Sequence, residues 1–168
     1  MTSPEHPTGT DRLAETVEKM GLPDEAIVVN VQGDEPLIPP EIVSEVADLL
    51  ASHPECGIAT AAHPIDSIEE FMSPNVVKVV RDVNGNAITF SRAPIPWPRD
   101  VFKTDSSHLP EGFKPLRHIG LYAYRVGFLK QYPKWKQAPI EALESLEQLR
   151  ALWYGVKIAV AILPGALP

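Results

Sequence analysis

One segment constrains the fold of this chain more than any other: an apolar, β-branched run over residues 26–32 that stops abruptly at Gly33. Such a run between turn residues is typical of a buried β-strand. Gly33 frees the backbone at the end of the strand, and Pro36 prevents a regular continuation. Asp34 and Glu35 are therefore predicted to lie at the carboxyl edge of a parallel sheet, where α/β proteins bind ligands and divalent metals.

Asp34 is the candidate metal ligand. A hard cation such as Mg²⁺ takes one or two carboxylates from a protein and completes its shell with phosphate oxygens. The pattern alone leaves an alternative open, because an aspartate after a strand can equally cap the turn before the next helix. Glu35 is either a second acid close to the metal or a solvated charge where the next helix begins.

The composition is that of an ordinary soluble globular protein, with 44% hydrophobic and 22% charged residues. A length of 168 residues predicts a single domain over residues 1–168. The sequence contains neither an apolar run of membrane-spanning length nor the basic and apolar regions of a secretory signal. We therefore expect no membrane partner.

The net charge of −7 argues against a nucleic-acid partner, which would require a basic face. It does not argue against an anionic small molecule, because a pocket can be locally positive, and Arg12, Lys78, Arg92 and Arg117 could supply that charge. The single cysteine, Cys56, excludes an intramolecular disulfide and fits a reducing cytoplasm. We expect its thiol to be buried and structural.

Hydrophobic periodicity predicts helices that alternate with strands. An Asn84-Gly85 pair between two apolar runs predicts a hairpin, and residues 97–115 are predicted to form a mobile loop. The predicted helices cover 11–20 (with Thr10 as N-cap), the segment from Pro40, 127–132 and 140–154 (amphipathic, with Leu143, Leu146, Leu149 and Trp153 inside); the predicted strands cover 58–62, 76–81, 87–90, 119–125 and 157–162. Together these elements predict an α/β sandwich with a mixed central sheet.

Six ordered blocks carry a more specific signal. The first is V-x-V-Q-G-D-E-P at the metal-binding strand; the others are HPTGTDR at 6–12, NVVKVV at 75–80, FSR with IPW at 90–97, RHIGLY at 117–122, and LEQLR with WYG at 146–155. In these blocks the chain resembles the sugar-acid cytidylyltransferases, specifically the 3-deoxy-manno-octulosonate cytidylyltransferase (CMP-Kdo synthetase) family.

The resemblance implies a three-layer α/β/α fold of the nucleotide-diphospho-sugar-transferase type with a mixed central sheet. Against that pattern the chain lacks the first βα unit, which carries the triphosphate loop, and the last helix with a second metal-binding aspartate. We therefore expect a family member truncated at both ends. The implied activity transfers CMP from CTP to 3-deoxy-D-manno-octulosonate (Kdo), giving CMP-Kdo and pyrophosphate for lipopolysaccharide synthesis. Mg²⁺ is the implied cofactor, and a cytoplasmic homodimer joined through the hairpin and the loop beyond it is the implied assembly.

The resemblance also assigns roles to residues. Asp34 would bind Mg²⁺, and Arg12 would pair with the sugar carboxylate or a phosphate. The remaining assignments are to the cytosine ring and the sugar acid: Gly9, Thr10, Gln32, Arg92, His118, Tyr122, Glu147 and Gln148. The residues alone leave a simpler interpretation open in each case. Gly9, Thr10 and Arg12 would form a helix cap with an exposed arginine, Gln32 would be a satisfied edge amide, and Arg92 would form a surface ion pair. His118 would be structural, Tyr122 would pack in the core, and Glu147 would be a surface acid.

Two other functions stay open at this point. The chain could be a catalytically inactive fragment that at most binds a sugar acid or dimerises. It could also belong to a related cytidylyltransferase that uses another sugar acid, such as an eight-carbon amino sugar or a sialic acid.

Overall fold

The computed structural model describes residues 2–31 and 38–166, which form one mixed sheet covered by helices on both faces. The strands are β1 (Ile27–Val31), β2 (Cys56–Pro64), β3 (Lys78–Arg81), β4 (Ala87–Ser91), β5 (Leu116–Arg125) and β6 (Lys157–Ile162). The helices are α1 (Gly9–Lys19), α2 (Pro40–Ser52), α3 (Ile68–Met72), α4 (Arg99–Phe102), α5 (Val126–Gln131), α6 (Pro139–Glu144) and α7 (Gln148–Trp153), with a 3₁₀ turn at Tyr132–Lys134.

Strand β5 organises the sheet. On one side it pairs with β2, which in turn pairs in parallel with β6. On the other side its second half pairs with β1, whereas its first two residues pair with β3, which continues into β4. Among the described residues, the partners of β5 on this side therefore diverge around Gly120, where neither β1 nor β3 pairs with it.

The predicted parallel edge at β1 needs a correction. Within the described residues β1 pairs with β5, which is antiparallel to it. Strands β1, β2 and β6 nevertheless point the same way, because β1 and β2 are both antiparallel to β5 and β6 is parallel to β2. Their carboxyl ends thus share one edge of the sheet.

Alternation along the strands builds a core on each face of the sheet. On one face, Leu121 and Ala123 of β5 pack with Val46 and Leu50 of α2. On the other, Tyr122, Tyr124 and residues of α1, α5 and α7 form the larger core. This three-layer arrangement confirms the predicted fold class. Cys56 is buried as expected, with its Sγ 3.4 Å from Oδ1 of Asn86.

Most predicted elements are present, and the Asn84-Gly85 hairpin is confirmed, with Gly85 at a φ of 83°. Two details differ. Helix α1 begins at Gly9, so the N-cap is Thr8 rather than Thr10; the Thr8 hydroxyl accepts from the Asp11 amide at 3.1 Å. The loop over 97–115 contains the short helix α4, whose Phe102 is buried against Phe71.

The prediction of a single amphipathic helix over 140–154 is wrong, because two short helices, α6 and α7, occupy this segment. Ser145 adopts the left-handed region, with φ 53° and ψ 49°, and separates α6 from α7. The apolar spacing continues across this break, so periodicity could not reveal it. The break also turns part of the predicted buried face outward: Leu143 is 85% and Trp153 is 54% exposed.

A buried ion pair joins the two short helices. Arg150 donates to both carboxylate oxygens of Glu141, at 2.8 and 2.7 Å, and its guanidinium carbon lies 4.2 Å from the centre of the Tyr132 ring. Glu141 also accepts from the Ala138 amide at 3.0 Å. Every oxygen of this carboxylate is therefore satisfied by groups that fix the corner between α6 and α7.

No helix within the described ranges has both the length and the apolar character needed to cross a membrane.

Arg150→Met should lower the free energy of unfolding by about 3–5 kcal/mol, because it leaves the Glu141 carboxylate buried without its cation. Urea denaturation followed by circular dichroism measures the loss. Lys114→Met is the matched control: its partner is Asp66, and both side chains are exposed, at 60% and 77%. That control should lose no more than about 1 kcal/mol. Equal losses in the two variants would contradict the assigned role of the buried pair.

Candidate functional site

A cavity of about 350 Å³ lies between β5, the start of α1 and the α6–α7 corner. Such a volume suits a small-molecule ligand. The cavity brings together most of the residues predicted from the sequence, which lie far apart along the chain: Gly9, Thr10, Arg92, His118, Tyr122, Glu147 and Gln148.

Glu147 holds the start of α1. Its carboxylate accepts from the backbone amides of Gly9 and Thr10, at 3.3 and 3.2 Å, and from the Thr10 hydroxyl at 2.7 Å. The first amides of a helix lack partners within the helix and carry a partial positive charge, so a carboxylate is well placed there. A carboxylate offers about four acceptor positions, and three donors already use this one.

Arg92 reaches the cavity from the end of β4. Its Nε donates to the carbonyl of Glu144 at 2.7 Å and its Nη1 to the carbonyl of Pro74 at 3.1 Å. The Glu144 carboxylate meanwhile accepts from the Ser91 hydroxyl and the Arg92 amide, at 2.6 and 2.9 Å. Two backbone carbonyls thus orient the guanidinium group, and because they are uncharged they do not neutralise its positive charge.

Lys78 holds together two backbone segments that border the cavity on the side of Arg92. It is fully buried, and its Nζ donates to the carbonyls of Ser73, Val76 and Arg92 at 2.8, 2.5 and 2.7 Å. Burial lowers the pKa of Lys78, and the nearby Glu144 opposes that shift. One cation therefore ties the segment before β3 to the segment after β4, and both segments border the cavity.

Arg117 and His118 lie at the beginning of β5. The Nη1 of Arg117 donates to Glu70 at 2.7 Å, and the arginine side chain remains 43% exposed. The Nε2 of His118 lies 2.9 Å from the hydroxyl of Thr60, which is completely buried. Burial lowers the pKa of His118 to about 3, so this imidazole is neutral at physiological pH.

Aromatic rings form the floor. Tyr122 stacks on Tyr124 with ring centres 5.5 Å apart, and Tyr124 stacks on Phe128 at 5.9 Å. Burial raises the pKa of both tyrosines well above the usual phenol value. Both hydroxyls therefore stay protonated, so this aromatic side of the cavity is uncharged and offers only the two phenol hydroxyls as polar groups.

Three predicted residues are not placed in this cavity. Arg12 lies on the exposed side of α1, and it is not among the cavity-lining residues of the described chain. Asp34 and Gln32 lie outside the described residues. The ranges that the structure does describe contain no group of three or more His, Cys, Asp or Glu side chains arranged to hold a metal.

Several cavity residues were not among the predicted site residues. Asn30 is one, and it stood out in the sequence as the single polar residue inside the apolar run of β1. Arg117 belonged to a recognised block but was proposed only as a general source of positive charge. Ser145 lines the cavity because of its left-handed backbone, for which the sequence offers no glycine or asparagine as a signal.

Comparison with known proteins agrees with this geometry. The cytidylyltransferase family model matches residues 1–158. A solved structure described as CMP:2-keto-3-deoxy-manno-octonic acid synthetase complexed with CTP is 37% identical to this chain, with a TM-score of 0.86. The match covers 100% of this chain and 64% of that one, so this chain spans less than two thirds of the length of that synthetase.

The contact between Thr10 and Glu147 predicts energetic coupling between the start of α1 and the α6–α7 corner. Thr10→Val and Glu147→Gln should each lower the free energy of unfolding by about 1–3 kcal/mol. The double variant should lose less than the sum, with a coupling energy of at least about 0.5 kcal/mol. Urea denaturation of all four proteins provides the cycle.

Thr16→Val is the control for this cycle. Thr16 lies on the same helix, but its hydroxyl donates to the Arg12 carbonyl at 2.9 Å rather than to Glu147. Its effect should therefore add to that of Glu147→Gln within about 0.5 kcal/mol. Strict additivity for Thr10→Val as well would mean that the observed contact carries no net free energy.

Proposed function

Because the chain belongs to the cytidylyltransferase family, we propose that it transfers the CMP unit of CTP to a sugar acid and releases pyrophosphate. The family predicted from the sequence is confirmed by the family match and by the similarity to a synthetase of the same kind. We infer further that the sugar acid is Kdo, that the product is CMP-Kdo and that it serves lipopolysaccharide synthesis. The name of the similar synthetase supports this choice of substrate.

The observation that carries the proposal is the convergence of Arg92, Arg117, His118 and Gln148 in one cavity. They come from three separate parts of the chain, so their meeting is a property of the fold. Two guanidinium groups suit the carboxylate of a sugar acid. A neutral imidazole and an amide suit its hydroxyl groups.

In the proposed reaction the anomeric hydroxyl oxygen of the sugar acid attacks the α-phosphorus of CTP. A new oxygen–phosphorus bond forms, the bond from the α-phosphorus to the bridging oxygen breaks, pyrophosphate leaves with that electron pair, and the hydroxyl proton passes to water. No protein nucleophile is required. Mg²⁺, held by Asp34 and phosphate oxygens, would neutralise the charge on the phosphates. The residues of the cavity would bind the sugar acid and orient its hydroxyl.

The proposed assembly is a homodimer in the cytoplasm. Apolar side chains in the β3–β4 hairpin and the following loop are exposed and support this surface as the subunit contact: Val83 at 99%, Ile88 at 59% and Trp97 at 51%. A single buried thiol in the whole sequence supports a reducing compartment. Sedimentation measurements on the wild type and on Trp97→Ser would test the dimer.

A pyrophosphate-release assay with CTP, Kdo and Mg²⁺ tests the activity of the 168-residue chain. We expect any turnover to be abolished by Asp34→Ala, because the metal would lose its protein ligand. Turnover that survives this change would contradict the role given to Asp34. Absence of turnover in a chain that still binds Kdo by isothermal titration would favour the alternative of a binding fragment. Turnover with an eight-carbon amino sugar or a sialic acid in place of Kdo would favour the other alternative.

Arg117→Met should weaken Kdo binding about tenfold or more, because it removes a charge-assisted hydrogen bond to the sugar carboxylate. Isothermal titration measures the dissociation constant. The matched control is Arg99→Met, which changes an exposed arginine of α4 that does not line the cavity. Equal affinities of the two variants would remove Arg117 from the proposed site.

A further inference from the structure

The pairing of β2 with β5 contains an irregularity beside the cavity. Thr60 is paired with Tyr122, but the next residue of β2, Ala61, is paired with Ile119. Gly120 and Leu121 are therefore skipped on β5. Such a bulge leaves backbone groups without their regular sheet partners, and a buried carbonyl without a partner is costly.

The hydroxyl of Thr60 fills this irregularity. It lies 2.7 Å from the carbonyl oxygen of Leu121, 3.3 Å from that of Ile119 and 2.9 Å from Nε2 of His118. Thr60 is completely buried, so water does not compete for these contacts. One side chain thus contacts the carbonyls of Ile119 and Leu121, on either side of Gly120, and the ring of a cavity residue.

The single hydrogen of the Thr60 hydroxyl determines which nitrogen of the His118 ring is protonated. A hydroxyl has one hydrogen to donate, and the 2.7 Å separation from the Leu121 carbonyl requires that hydrogen to lie between the two oxygens. Donation to His118 instead would leave two oxygen lone pairs facing each other at that distance. The Thr60 oxygen must therefore accept from His118, so Nε2 carries the hydrogen.

The other ring nitrogen opens on the cavity. Within the described ranges Nδ1 of His118 has no protein partner, and no buried side-chain nitrogen or oxygen is left unsatisfied there. Nδ1 must consequently be accessible, and His118 lines the cavity. The ring cannot turn freely, because it packs against Phe90 with ring centres 5.0 Å apart and against Tyr122 at 5.3 Å.

We propose that Thr60 is a positioning residue that fixes His118 as the Nε2–H tautomer, so that Nδ1 presents a lone pair to the cavity. A lone pair accepts a hydrogen bond from a hydroxyl group and repels an anionic oxygen. His118 therefore selects a hydroxyl of the ligand, and the carboxylate must lie elsewhere, on the side of Arg92 and Arg117. This last step rests on the proposed function, whereas the assignment of the tautomer does not.

Long-range ¹H–¹⁵N correlation spectra of the ¹⁵N-labelled protein test the assignment, since the two tautomers give different nitrogen shifts. His118→Gln identifies the His118 signals. We expect the Nε2–H pattern in the free wild-type protein throughout the range from about pH 5 to about pH 8, where an ordinary histidine would titrate. The Nδ1–H pattern, or an imidazolium at neutral pH, would overturn the proposal.

Two substitutions at Thr60 test the positioning role. Thr60→Ser keeps the hydroxyl and should keep the single tautomer. Thr60→Val has nearly the same shape but cannot accept from Nε2, so a second tautomer or an imidazolium should appear. An unchanged His118 spectrum in folded Thr60→Val would refute the role of Thr60. If Thr60→Val does not fold, the serine variant and the wild-type spectrum still decide the tautomer.

Adding Kdo separates this inference from the proposed function. A ligand hydroxyl donated to Nδ1 should move the Nδ1 resonance while the Nε2–H pattern stays. Kdo that binds and converts His118 to the imidazolium would overturn the selection of a hydroxyl. Failure of Kdo to bind, with the Nε2–H pattern intact in the free protein, would count against the proposed substrate and leave the role of Thr60 supported.

Discussion

The pairing of β5 is the constraint on which the rest of the structure depends. Strand β5 is ten residues long and bonds to β2 along most of its length, but on the opposite side it is shared by two strands that do not meet. Within the part of the chain that the structure describes, neither of these strands pairs with Gly120, and this residue lines the cavity. Residues 117–122 therefore belong to the strand that joins the other strands of the sheet, and several of them also line the cavity.

Buried charge does the work of positioning around this opening. Lys78 holds two loops through three backbone carbonyls, and Arg150 with Glu141 fixes the corner from which Glu147 and Gln148 project. Burying ions is expensive unless nearly every donor and acceptor is matched. Here no buried side-chain nitrogen or oxygen of the described residues lacks a hydrogen-bond partner, so the ions are buried without an unsatisfied polar group.

How far the sequence could lead depended on the kind of signal. Strand and hairpin positions followed from short apolar runs and from Asn84-Gly85, because these signals are local. The break at Ser145 did not, because a single serine with a positive φ leaves no trace in hydrophobic periodicity. The candidate site residues were predicted from the recognised blocks, and seven of them line one cavity. Thr60 escaped notice, because a threonine in a strand is ordinary until its partner across the bulge is known.

The cap formed by Glu147 has a consequence for how the molecule responds to ligands. The carboxylate that borders the cavity also restrains the first turn of α1, so any molecule that strengthens or weakens this contact changes the free energy of the helix end. If a ligand that binds in the cavity weakens this contact, then by reciprocity a change that strengthens the contact weakens binding of that ligand by the same factor. Gly9 and Thr10 line the same cavity, so the order of the first turn of α1 and the affinity of the cavity are linked through one carboxylate.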